Sequence, residues 1–441
     1  MAQGFSSTRF HEITFFPQVR EGFPLIIDKN SLAFHLGIRR RTLEFLLLLR
    51  NSGPQGTKNY RHGKSLPDGT VVDEPFLYAY KCFTINKIRD GVVVKARPIQ
   101  EPMPLLKNVH RVVNSLLSNL PYPKPVIAYV KGLSIADAVE QHVRASYWLP
   151  KVLVEDRDKA KFIELEADPR YKKVSRLKES HVPTSEDGWF FFQPFVEVHL
   201  DIANFFNSVR ASWIRKFFEE DVGYSHAVSY AFAQLCTVKW DERRRFLPQG
   251  SPLSGSMANM VAYQRFGRAV EEFLKTQSPD WIFTIYSDDI SMTHPDLTVT
   301  QEQIDLVVKT VIGLVEEAGF KINAGKTRVT RSKNAKVKML GCVINEKLNV
   351  EKSTFNRVKR TLCACIDNGW SSVANGQDLK LRQYLVGKMQ SIRQIRQDRY
   401  EILNALYLEA LKAHPITPRK VPDVEISAAS GSPQAELPAP G

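Results

Sequence analysis

Two adjacent aspartates in this chain are placed where chemistry is possible. Asp288 and Asp289 follow a run of aromatic and β-branched residues, 281–286, and precede a second apolar run that can return as the other strand of a hairpin. Two adjacent carboxylates repel each other unless a cation or hydrogen-bond donors lie between them. The alternative is a solvated turn, because Asp is common in turns.

A third aspartate, Asp201, ends a segment in which apolar and polar residues alternate. The alternation over 196–201 predicts a strand with one apolar face, and it puts Asp201 on the polar face. If this strand and the hairpin are neighbours in one antiparallel sheet, the three carboxylates meet. Two Mg²⁺ ions there would activate a 3′-hydroxyl and neutralise a triphosphate, which is nucleotidyl transfer. Since neighbours on a strand point to opposite faces, we expect Asp288 to bridge the metals and Asp289 to support it.

The composition is typical of a globular protein that meets polyanions. The chain has 441 residues, of which 43% are apolar and 24% charged, so several subdomains are expected. The net charge of +14 favours nucleic acid over an acidic membrane surface, because no apolar run approaches the ~18 residues that span a bilayer. The N-terminal residues lack the apolar core of a signal peptide, so a cytoplasmic location is expected. The five cysteines form no C-x-x-C pair, which argues against a zinc site or a disulfide framework.

Hydrophobic periodicity and turn residues predict the elements around these aspartates. Residues 143–195 are charged and poorly periodic, and we interpret them as a surface insertion that is partly helical. The remaining predictions are two short helices in 30–50, a hairpin in 78–100, helices at 103–120, 211–236, 255–275 and about 301–318, and a strand over 337–345.

The segment 352–400 is basic and helical. It holds ten Lys or Arg against three Asp, a net charge of +7 and half of the whole chain's charge. This concentration favours a nucleic-acid groove over a merely solvated face. An apolar stripe of Leu381, Leu385, Met389 and Ile392 would pack inward. From Pro415 onward, the Pro, Ala, Ser and Gly content predicts a disordered tail.

A series of short motifs runs in order along the chain: RPIQEP (97–102), GLSIADAVEQH (132–142), LDIANFF (200–206), LPQGSPLSGSMAN (247–259), YSDD (286–289), GFKINAGKTR (319–328) and LGCVIN (340–345). The YSDD box alone would be unspecific. In this order, the series resembles the motifs of bacterial reverse transcriptases, close to the retron and defence-associated enzymes.

The resemblance implies an α+β fold of the right-hand polymerase type, with fingers and palm around a small antiparallel sheet and a helical, basic thumb. It also implies RNA-directed DNA synthesis from deoxynucleotides with two Mg²⁺ ions, for which Mn²⁺ is a possible substitute. The implied divisions are an N-terminal helical extension (1–75), fingers (76–200), palm (196–350), thumb (351–414) and a tail (415–441).

The resemblance assigns nucleotide contacts to four residues and a nucleic-acid contact to Gly250. Arg97 would contact the triphosphate, although an exposed surface arginine is the alternative. Phe206 would stack under the sugar and exclude a 2′-hydroxyl, unless it is simply a core residue. Gln249 would hydrogen-bond around the nucleotide, and Gly250 would let the backbone approach the base pair. Lys326 would either protonate the leaving pyrophosphate or pair with it.

The same resemblance implies the metal ligands and the nucleic-acid contacts. The carboxylates of Asp201, Asp288 and Asp289 and the backbone of Ile202 would hold the metals. Tyr286 would lie against the primer end, or else pack within its strand. The basic residues implied to bind nucleic acid are Arg357, Lys359, Arg360, Lys388, Arg393 and Arg396.

The chain departs from the retron pattern in three ways. Met339-Leu340-Gly341 replaces a Val-Thr-Gly triplet, Asp137 replaces an Asn, and the 143–195 segment is longer than expected. These differences favour a defence-associated enzyme that copies its own structured noncoding RNA, with that RNA also as a bound subunit, in antiphage defence. A partner protein or a homo-oligomer is possible, and no membrane partner is expected. The alternatives are a template-independent or protein-primed relative of the abortive-infection type, and a non-catalytic RNA-binding scaffold.

Overall fold

The computed structural model describes residues 19–48, 64–65, 71–72, 79–89, 92–144, 146–150, 155–176, 188–239 and 244–415. Contacts divide the chain into two compact units, one ending at Glu351 and the other beginning at Lys352. Within the described ranges, no helix combines the length and the apolar character needed to cross a bilayer. The predicted tail beyond Pro415 lies outside the described residues.

The first unit mixes helices with small antiparallel sheets, as predicted. Its helices are α1 (Lys29–His35), α2 (Arg40–Leu48), α3 (Pro104–Ser118), α4 (Ile135–Glu140), α5 (Asp156–Ala167), α6 (Phe205–Ser208), α7 (Ala211–Lys216), α8 (His226–Cys236), α9 (Ser254–Ala262), α10 (Arg268–Gln277) and α11 (Gln301–Glu317). Single π-helical turns at Phe217–Asp221 and Tyr263–Gly267 follow α7 and α9, and 3₁₀ turns lie at Asp296–Thr298 and Ala324–Lys326.

The strands of this unit are short apart from one long hairpin. They are β1 (Lys64–Ser65), β2 (Val71–Val72), β3 (Tyr80–Arg89), β4 (Val92–Pro102), β5 (Ser146–Pro150), β6 (Lys172–Arg176), β7 (Gly188–Phe192), β8 (Phe195–Asp201), β9 (Val238–Lys239), β10 (Arg245–Phe246), β11 (Ile282–Tyr286), β12 (Asp289–Pro295), β13 (Arg328–Arg331), β14 (Lys338–Met339), β15 (Cys342–Val343) and β16 (Asn349–Val350).

A four-stranded antiparallel sheet in the order β11-β12-β8-β13 forms the centre of the first unit. On one face, Val196, Val198 and Leu200 of β8 belong to a continuous apolar core that includes Met257 of α9 and Val311 of α11. All seven residues of β8 are buried. The alternation therefore predicted the strand and its apolar face, and the structure adds that the polar face is buried as well.

The interpretation of 143–195 as a charged, partly helical surface insertion is incomplete. The segment contains the predicted helical portion, α5, but also a three-stranded sheet in the order β5-β7-β6. Leu149, Leu165 and Phe191 form a small core of their own. The sequence pattern missed these strands because each is five residues long and the charged helix α5 lies between them.

The prediction of a single strand over 337–345 is also wrong. The chain makes a hairpin there, in which β14 pairs with β15, and β15 pairs with β16. Leu340 and Gly341 turn the chain at φ +48° and +82°. Leucine seldom adopts a positive φ, so the apolar run gave no sign of this turn.

The second unit is helical, as predicted. Its helices are α12 (Lys352–Asn368), α13 (Trp370–Ala374), α14 (Asp378–Ile395) and α15 (Gln397–Ala413). The predicted apolar stripe lies on α14, where Leu385, Met389 and Ile392 are buried and Leu381 is half-buried. Burial of this stripe leaves the basic residues on the outside, because they occupy the other faces of the helix.

Candidate active site

The two adjacent aspartates lie at the tip of the β11–β12 hairpin. Tyr286 pairs with Asp289 across a two-residue turn of Ser287 and Asp288. Ser287 has a positive φ of +59°, as the first position of a type II′ turn requires. The turn therefore separates the two carboxylates: Asp288 belongs to the tip and Asp289 to the strand.

The sheet register brings Asp201 to the same tip. Asp289 is the direct partner of Asp201 in the antiparallel pairing of β12 with β8. Beyond the end of β8, the Ile202 N–H donates to the Asp288 carbonyl at 2.8 Å. On the other side, the Ala203 N–H donates to the Lys321 carbonyl, and the Asn323 N–H donates to the Asp201 carbonyl. The Ile202 carbonyl takes no part in these two hydrogen bonds.

Asp201 is held by two donors from the loop after α11. Its carboxylate lies 2.5 Å from the Lys326 Nζ and accepts a hydrogen bond of 3.2 Å from the Asn323 Nδ2. The Asp201 side chain is 6% exposed, whereas that of Lys326 is 52% exposed. The hydrogen bond to Asp201 raises the pKa of the Lys326 ammonium, which therefore stays charged at neutral pH. Asn323 was missed by the sequence reasoning, although it lies within the GFKINAGKTR motif.

Asp289 contacts the neighbouring strand β8. Its Oδ1 lies 3.3 Å from the Nε2 of His199, two residues before Asp201 on β8. Burial, followed by repulsion from Asp288 and Asp201, raises the pKa of Asp289 to about 6. Burial lowers the pKa of His199 to about 4, so the contact joins a carboxylate to a neutral imidazole. The sequence reasoning treated His199 only as part of an alternating strand.

The buried polar face continues below His199. Glu197 is fully buried and accepts a hydrogen bond of 3.1 Å from the Nη2 of Arg328 on β13. Burial raises the pKa of Glu197 to about 7, and the Arg328 charge opposes the shift. A line of charged and polar groups therefore leads from the aspartates into the sheet, and a single arginine balances its innermost carboxylate.

A cavity of about 350 Å³ opens in front of the hairpin tip. Two aspartates line it, Asp201 and Asp288, and Ile202 lines it as well. The same cavity is lined by all four residues predicted to bind the nucleotide, which come from four separate segments: Arg97, Phe206, Gln249 and Lys326. Asp289, Tyr286 and Gly250 are not among its lining residues.

Phe206 and its neighbour separate into two roles. Phe205 is 3% exposed and stacks on Phe320 at a ring-centroid distance of 6.0 Å. Phe206 is half-buried and reaches the cavity. Asn204 precedes them in a left-handed conformation, which turns the chain from β8 into α6. Phe205 thus belongs to the core, and Phe206 packs against that core while it lines the cavity.

Gln249 is positioned by reciprocal hydrogen bonds with β4. Its N–H donates to the side-chain Oε1 of Gln100 at 2.9 Å, and its carbonyl accepts from the Gln100 N–H at 2.7 Å. Gly250 follows at φ +128°, and a Cβ there would lie 2.7 Å from the Cγ2 of Ile99. The loop and the strand that carries Arg97 are therefore joined at close approach, which requires glycine.

Tyr129 is a cavity residue that the sequence reasoning missed. It lines the cavity, is 54% exposed and has a φ of +60°. Its ring lies over Gly255, where a Cβ would come within 2.5 Å of it. Its segment pairs with β11 through the Ile127 N–H and the Ile285 carbonyl, at 3.2 Å. An exposed aromatic ring beside the aspartates can stack with a base. No local sequence pattern marks Tyr129, because its distinctive feature is the positive φ of its backbone.

The motif at 132–142 has a structural role in this chain. Asp137 caps α4, since its Oδ2 accepts from the Ser134 N–H at 2.7 Å. His142 is fully buried between Thr284 of β11 and Thr293 of β12, at 2.7 and 3.0 Å. Asp137 stands where the retron motif has an asparagine, and it still caps the helix because its carboxylate accepts the hydrogen bond from the Ser134 N–H.

The predicted nucleic-acid residues differ in their surroundings. Tyr286 is half-buried in β11, as its strand-packing alternative requires. In the second unit, Arg396 is half-buried and pairs with Asp398, and Arg393 lies 5.3 Å from the centroid of the Tyr400 ring. The remaining four, Arg357, Lys359, Arg360 and Lys388, are exposed.

The described residues contain no group of three His, Cys, Asp or Glu at metal-ligand spacing. At the hairpin tip, Asp201 contacts Lys326 and Asp289 contacts His199. Even so, the chemistry of the three aspartates fits divalent cations, which prefer carboxylate oxygens. Burial and then repulsion from Asp288 and Asp201 raise the pKa of Asp289, and the Lys326 ammonium is held on Asp201, so a cation at this point would compensate negative charge.

Comparison with known proteins agrees with the motif series. Residues 195–344 match the family model described as reverse transcriptase (RNA-dependent DNA polymerase). The chain is 26% identical to the retron Mx65 reverse transcriptase of Myxococcus xanthus over 182 residues, which are 38% of this chain and 40% of that protein. It is 26% identical to the retron Se72 reverse transcriptase of Salmonella heidelberg over 140 residues, 32% of this chain and 35% of that protein. The predicted resemblance to bacterial retron-type reverse transcriptases is therefore confirmed, although the matched part spans less than half of each relative.

Two solved structures overlap weakly with the chain. One is a telomerase from Candida albicans, with 13% identity and a TM-score of 0.38 over 77% of this chain and 61% of that chain. The other is an apo telomerase from Candida tropicalis, with 12% identity and a TM-score of 0.40 over 77% of this chain and 58% of that chain.

Proposed function

We propose that this chain is an RNA-directed DNA polymerase, that is, a reverse transcriptase that adds deoxynucleotides to a 3′-hydroxyl. The observation that carries the proposal is the shared cavity. It collects two of the three aspartates and all four predicted nucleotide contacts from segments that are far apart in the sequence. A solvated Asp-Asp turn would not bring these groups together, and a scaffold would gain nothing from three crowded carboxylates.

In this proposal, Asp201, Asp288, Asp289 and the Ile202 backbone hold two Mg²⁺ ions, with Mn²⁺ as a substitute. When bound, the ions lower the pKa of the attacking hydroxyl and neutralise the phosphates. Asp288 lines the cavity and Asp289 lies against His199, which supports unequal roles for the pair. His199 then acts as a positioning residue that keeps Asp289 oriented.

The triphosphate would lie between Arg97 and Lys326. Arg97 is exposed in the cavity and can contact phosphate with two parallel hydrogen bonds. Lys326 is half-exposed and reaches the cavity while it holds Asp201. Once a cation compensates Asp201, the ammonium is available to the leaving pyrophosphate, either as a charge partner or as a proton donor.

The sugar and the base would lie against the other wall. Phe206 occupies the cavity side of α6, where a ring under the sugar excludes a 2′-hydroxyl. Gln249 and Gly250, joined to β4, would lie under the nascent base pair. Tyr286 would contact the primer end from the neighbouring strand.

We assign residues 76–200 to the fingers, 196–350 to the palm and 351–414 to the thumb of a right-hand polymerase. The central four-stranded sheet supports the palm assignment, and the exposed arginines and lysines of α12 and α14 support a nucleic-acid-binding thumb. The small sheet with α5 is then an insertion within the fingers.

We further propose that the template is a structured noncoding RNA that stays bound to the protein, and that DNA synthesis serves antiphage defence. Support comes from the retron relatives together with the departures of this chain from the retron pattern. At the triplet position, Leu340 and Gly341 form a tight turn, so the residues that differ lie on a defined hairpin.

The test is to purify the protein, sequence the nucleic acid that copurifies with it and supply labelled deoxynucleotides. DNA that is complementary to the bound RNA is the expected result. Products that do not depend on RNA would favour the template-independent or protein-primed alternative, and no products would favour the scaffold.

An Asp288→Asn/Asp289→Asn double variant isolates the chemistry, because it removes charge and keeps side-chain size. We expect loss of synthesis with bound RNA retained. Asp305→Asn, an exposed change on α11, is the matched control and should keep full activity. Synthesis by the double variant at the wild-type rate would refute the catalytic assignment.

A further inference from the structure

A second cavity, of about 970 Å³, lies beside the first and has no role in the proposed reaction. It is open and polar, and the residues that matter for its chemistry are Asn207, Arg210, Tyr230, Gln234, Arg244 and Arg245. No carboxylate occurs among the described residues that line it. Arg210 and Arg245 bring positive charge to this cavity, and water screens such charge only in part.

Two of these arginines are brought together by the backbone. Arg210, just before α7, forms an antiparallel bridge with Phe246 of β10, next to Arg245. The pairing is reinforced by the Leu247 N–H, which donates to the Val209 carbonyl at 3.0 Å. The arginines are therefore held at one edge by secondary structure.

Neither of these two arginines forms an ion pair with a described carboxylate. Arg245 is half-buried, and its Nη1 donates to the backbone carbonyl of Gln234 at 3.2 Å. Arg210 is exposed, and its guanidinium lies 5.6 Å from the centroid of the Trp213 ring. Arg210 also lies close to another cation, Arg265. Burial is the main cause that lowers the pKa of Arg265, and the positive charge of Arg210 is the second.

The second cavity adjoins the first at Asn207, which lines both. The Oδ1 of Asn207 is buried without a hydrogen-bond partner among the described residues. Because Asn207 directly follows Phe206, the junction lies beside the wall proposed for the sugar. Tyr230, 52% exposed, offers an aromatic face within the second cavity.

We propose that the second cavity is a binding site for phosphate groups, with Arg210 and Arg245 as the principal ligands. Guanidinium groups bind phosphate oxygens in pairs, and an anion there would compensate charges that described carboxylates leave unpaired. The phosphates come either from a free polyphosphate or from a nucleic-acid strand that continues past the first cavity. This inference concerns binding alone and stands apart from the proposed polymerase activity.

Arginine footprinting on the full-length protein tests the site directly. Phenylglyoxal modification of each arginine is followed by mass spectrometry, without a probe, with tripolyphosphate, and with a twelve-residue oligodeoxythymidylate. At a probe concentration about ten times its Kd, Arg210 and Arg245 should react about tenfold more slowly. Protection by tripolyphosphate identifies a free polyphosphate as the ligand, and protection by the oligonucleotide alone identifies a strand.

Two arginines serve as internal references. Arg157 on α5 is 82% exposed in a different part of the unit, so it should stay reactive. Arg97 reports on the first cavity. Protection of Arg97 without protection of Arg210 and Arg245 overturns this inference and leaves the proposed function intact. Equal protection of Arg157 also overturns it, because binding would then be general.

Substitution provides the second measurement. Arg210→Gln should weaken binding of the protecting probe, whereas Arg157→Gln, with the same change of charge, should not. Arg210→Lys should recover part of the affinity, since it keeps the charge but loses the paired geometry. Wild-type affinity in Arg210→Gln, measured with thermal unfolding unchanged, contradicts the assignment of Arg210.

Discussion

At the scale of single residues, the site is dominated by negative charge that its own side chains compensate only in part. Three aspartates converge at the hairpin tip, and the only ammonium held directly on them among the described residues belongs to Lys326. Such an arrangement is costly without cations, because each ionised carboxylate disfavours the next. The side chains that contact the aspartates should therefore respond to both pH and metal.

Substitution of Lys326 separates its two possible roles. We expect Lys326→Met to lower the single-nucleotide incorporation rate about 10²-fold or more. If charge pairing is its function, Lys326→Arg restores most of the rate, and if it donates a proton, Lys326→Arg is as slow as Lys326→Met, because guanidinium does not release one. Lys321→Gln, an exposed change in the same loop, should leave the rate unchanged. A normal rate for Lys326→Met would remove Lys326 from the reaction.

The raised pKa of Asp289 predicts a pH dependence of stability in the metal-free protein. Its pKa is about 6 in the folded state against an ordinary 3.8, so the folded state binds the proton more tightly. Stability linked to this proton is present below the unfolded pKa and is lost as pH rises through the folded pKa. In EDTA, the Tm of the wild type relative to Asp289→Asn should therefore fall between about pH 4 and about pH 7.

Metal provides the control for that measurement. Mg²⁺ should abolish the fall in Tm, because a bound cation replaces the proton as the partner of the carboxylates. A Tm difference between wild type and Asp289→Asn that is independent of pH in EDTA would contradict the shifted pKa.

At the scale of elements, the site depends on segments joined at close approach. The β8–β12 register sets the aspartates opposite each other, and the loop before α9 is joined to β4 through Gln100. The interior of the sheet beneath the aspartates is polar and buried. Because a close-packed interior is hardly compressible, a shift in one segment displaces its neighbours. Small backbone changes in these segments should affect activity more than their size suggests.

Gly250→Ala tests the junction between the loop and β4. The new Cβ would lie 2.7 Å from the Cγ2 of Ile99 and 3.2 Å from the Gln100 carbonyl, at a φ of +128° that alanine disfavours. We expect a loss of stability of about 1–2 kcal/mol and a larger loss of incorporation rate, because the loop must move away from Arg97. Gly313→Ala in α11, with no atom within 4 Å, is the control and should be neutral or stabilising. Full activity in Gly250→Ala would show that the junction is not required.

At the scale of the whole molecule, charge is the property that selects the partner. The net charge of +14 is unevenly distributed, with +7 in residues 352–400, and α12 presents several of these residues to solvent. Binding to a polyanion releases counterions, so the affinity should fall steeply with salt. The slope of that dependence gives the number of phosphates that the protein neutralises.

Removal of three charges from α12 tests the contribution of the helical unit. Arg357→Gln/Lys359→Gln/Arg360→Gln should lower the slope of log K against log salt by up to about 3 for RNA binding, roughly one for each phosphate that is no longer neutralised. Arg157→Gln/Lys159→Gln/Lys172→Gln removes the same charge from the 143–195 insertion and is the control. Equal slopes for the two variants would mean that α12 makes no specific interaction with the nucleic acid.

Most of the local structure could be predicted from the sequence because it depends on neighbouring residues. The periodicity of α3, α11 and α14 and the alternation in β8 are local signals, and the helices and the strand were found where expected. The ordered motifs likewise pointed to the aspartates and to the four residues predicted to bind the nucleotide, which line one cavity with Asp201 and Asp288, since each motif keeps its residues within a few positions of one another.

Other features depend on contacts between distant segments, which no local pattern records. The pairing of His199 with Asp289, the left-handed Tyr129 over Gly255 and the positive φ of Leu340 all arise from such contacts. The strands of the 143–195 insertion were missed for the same reason, because β7 pairs with β5, from which α5 and β6 separate it in the sequence.

The sequence by itself therefore determined which residues can do chemistry and the order of the elements that carry them. Only the tertiary structure decided that Asp288 lines the cavity and that Asp289 contacts His199. The turn and the sheet register give different surroundings to these two adjacent residues of the same type. It also decided that Arg210 and Arg245 line one cavity, since backbone pairing of Arg210 with Phe246 brings together two segments that lie more than thirty residues apart.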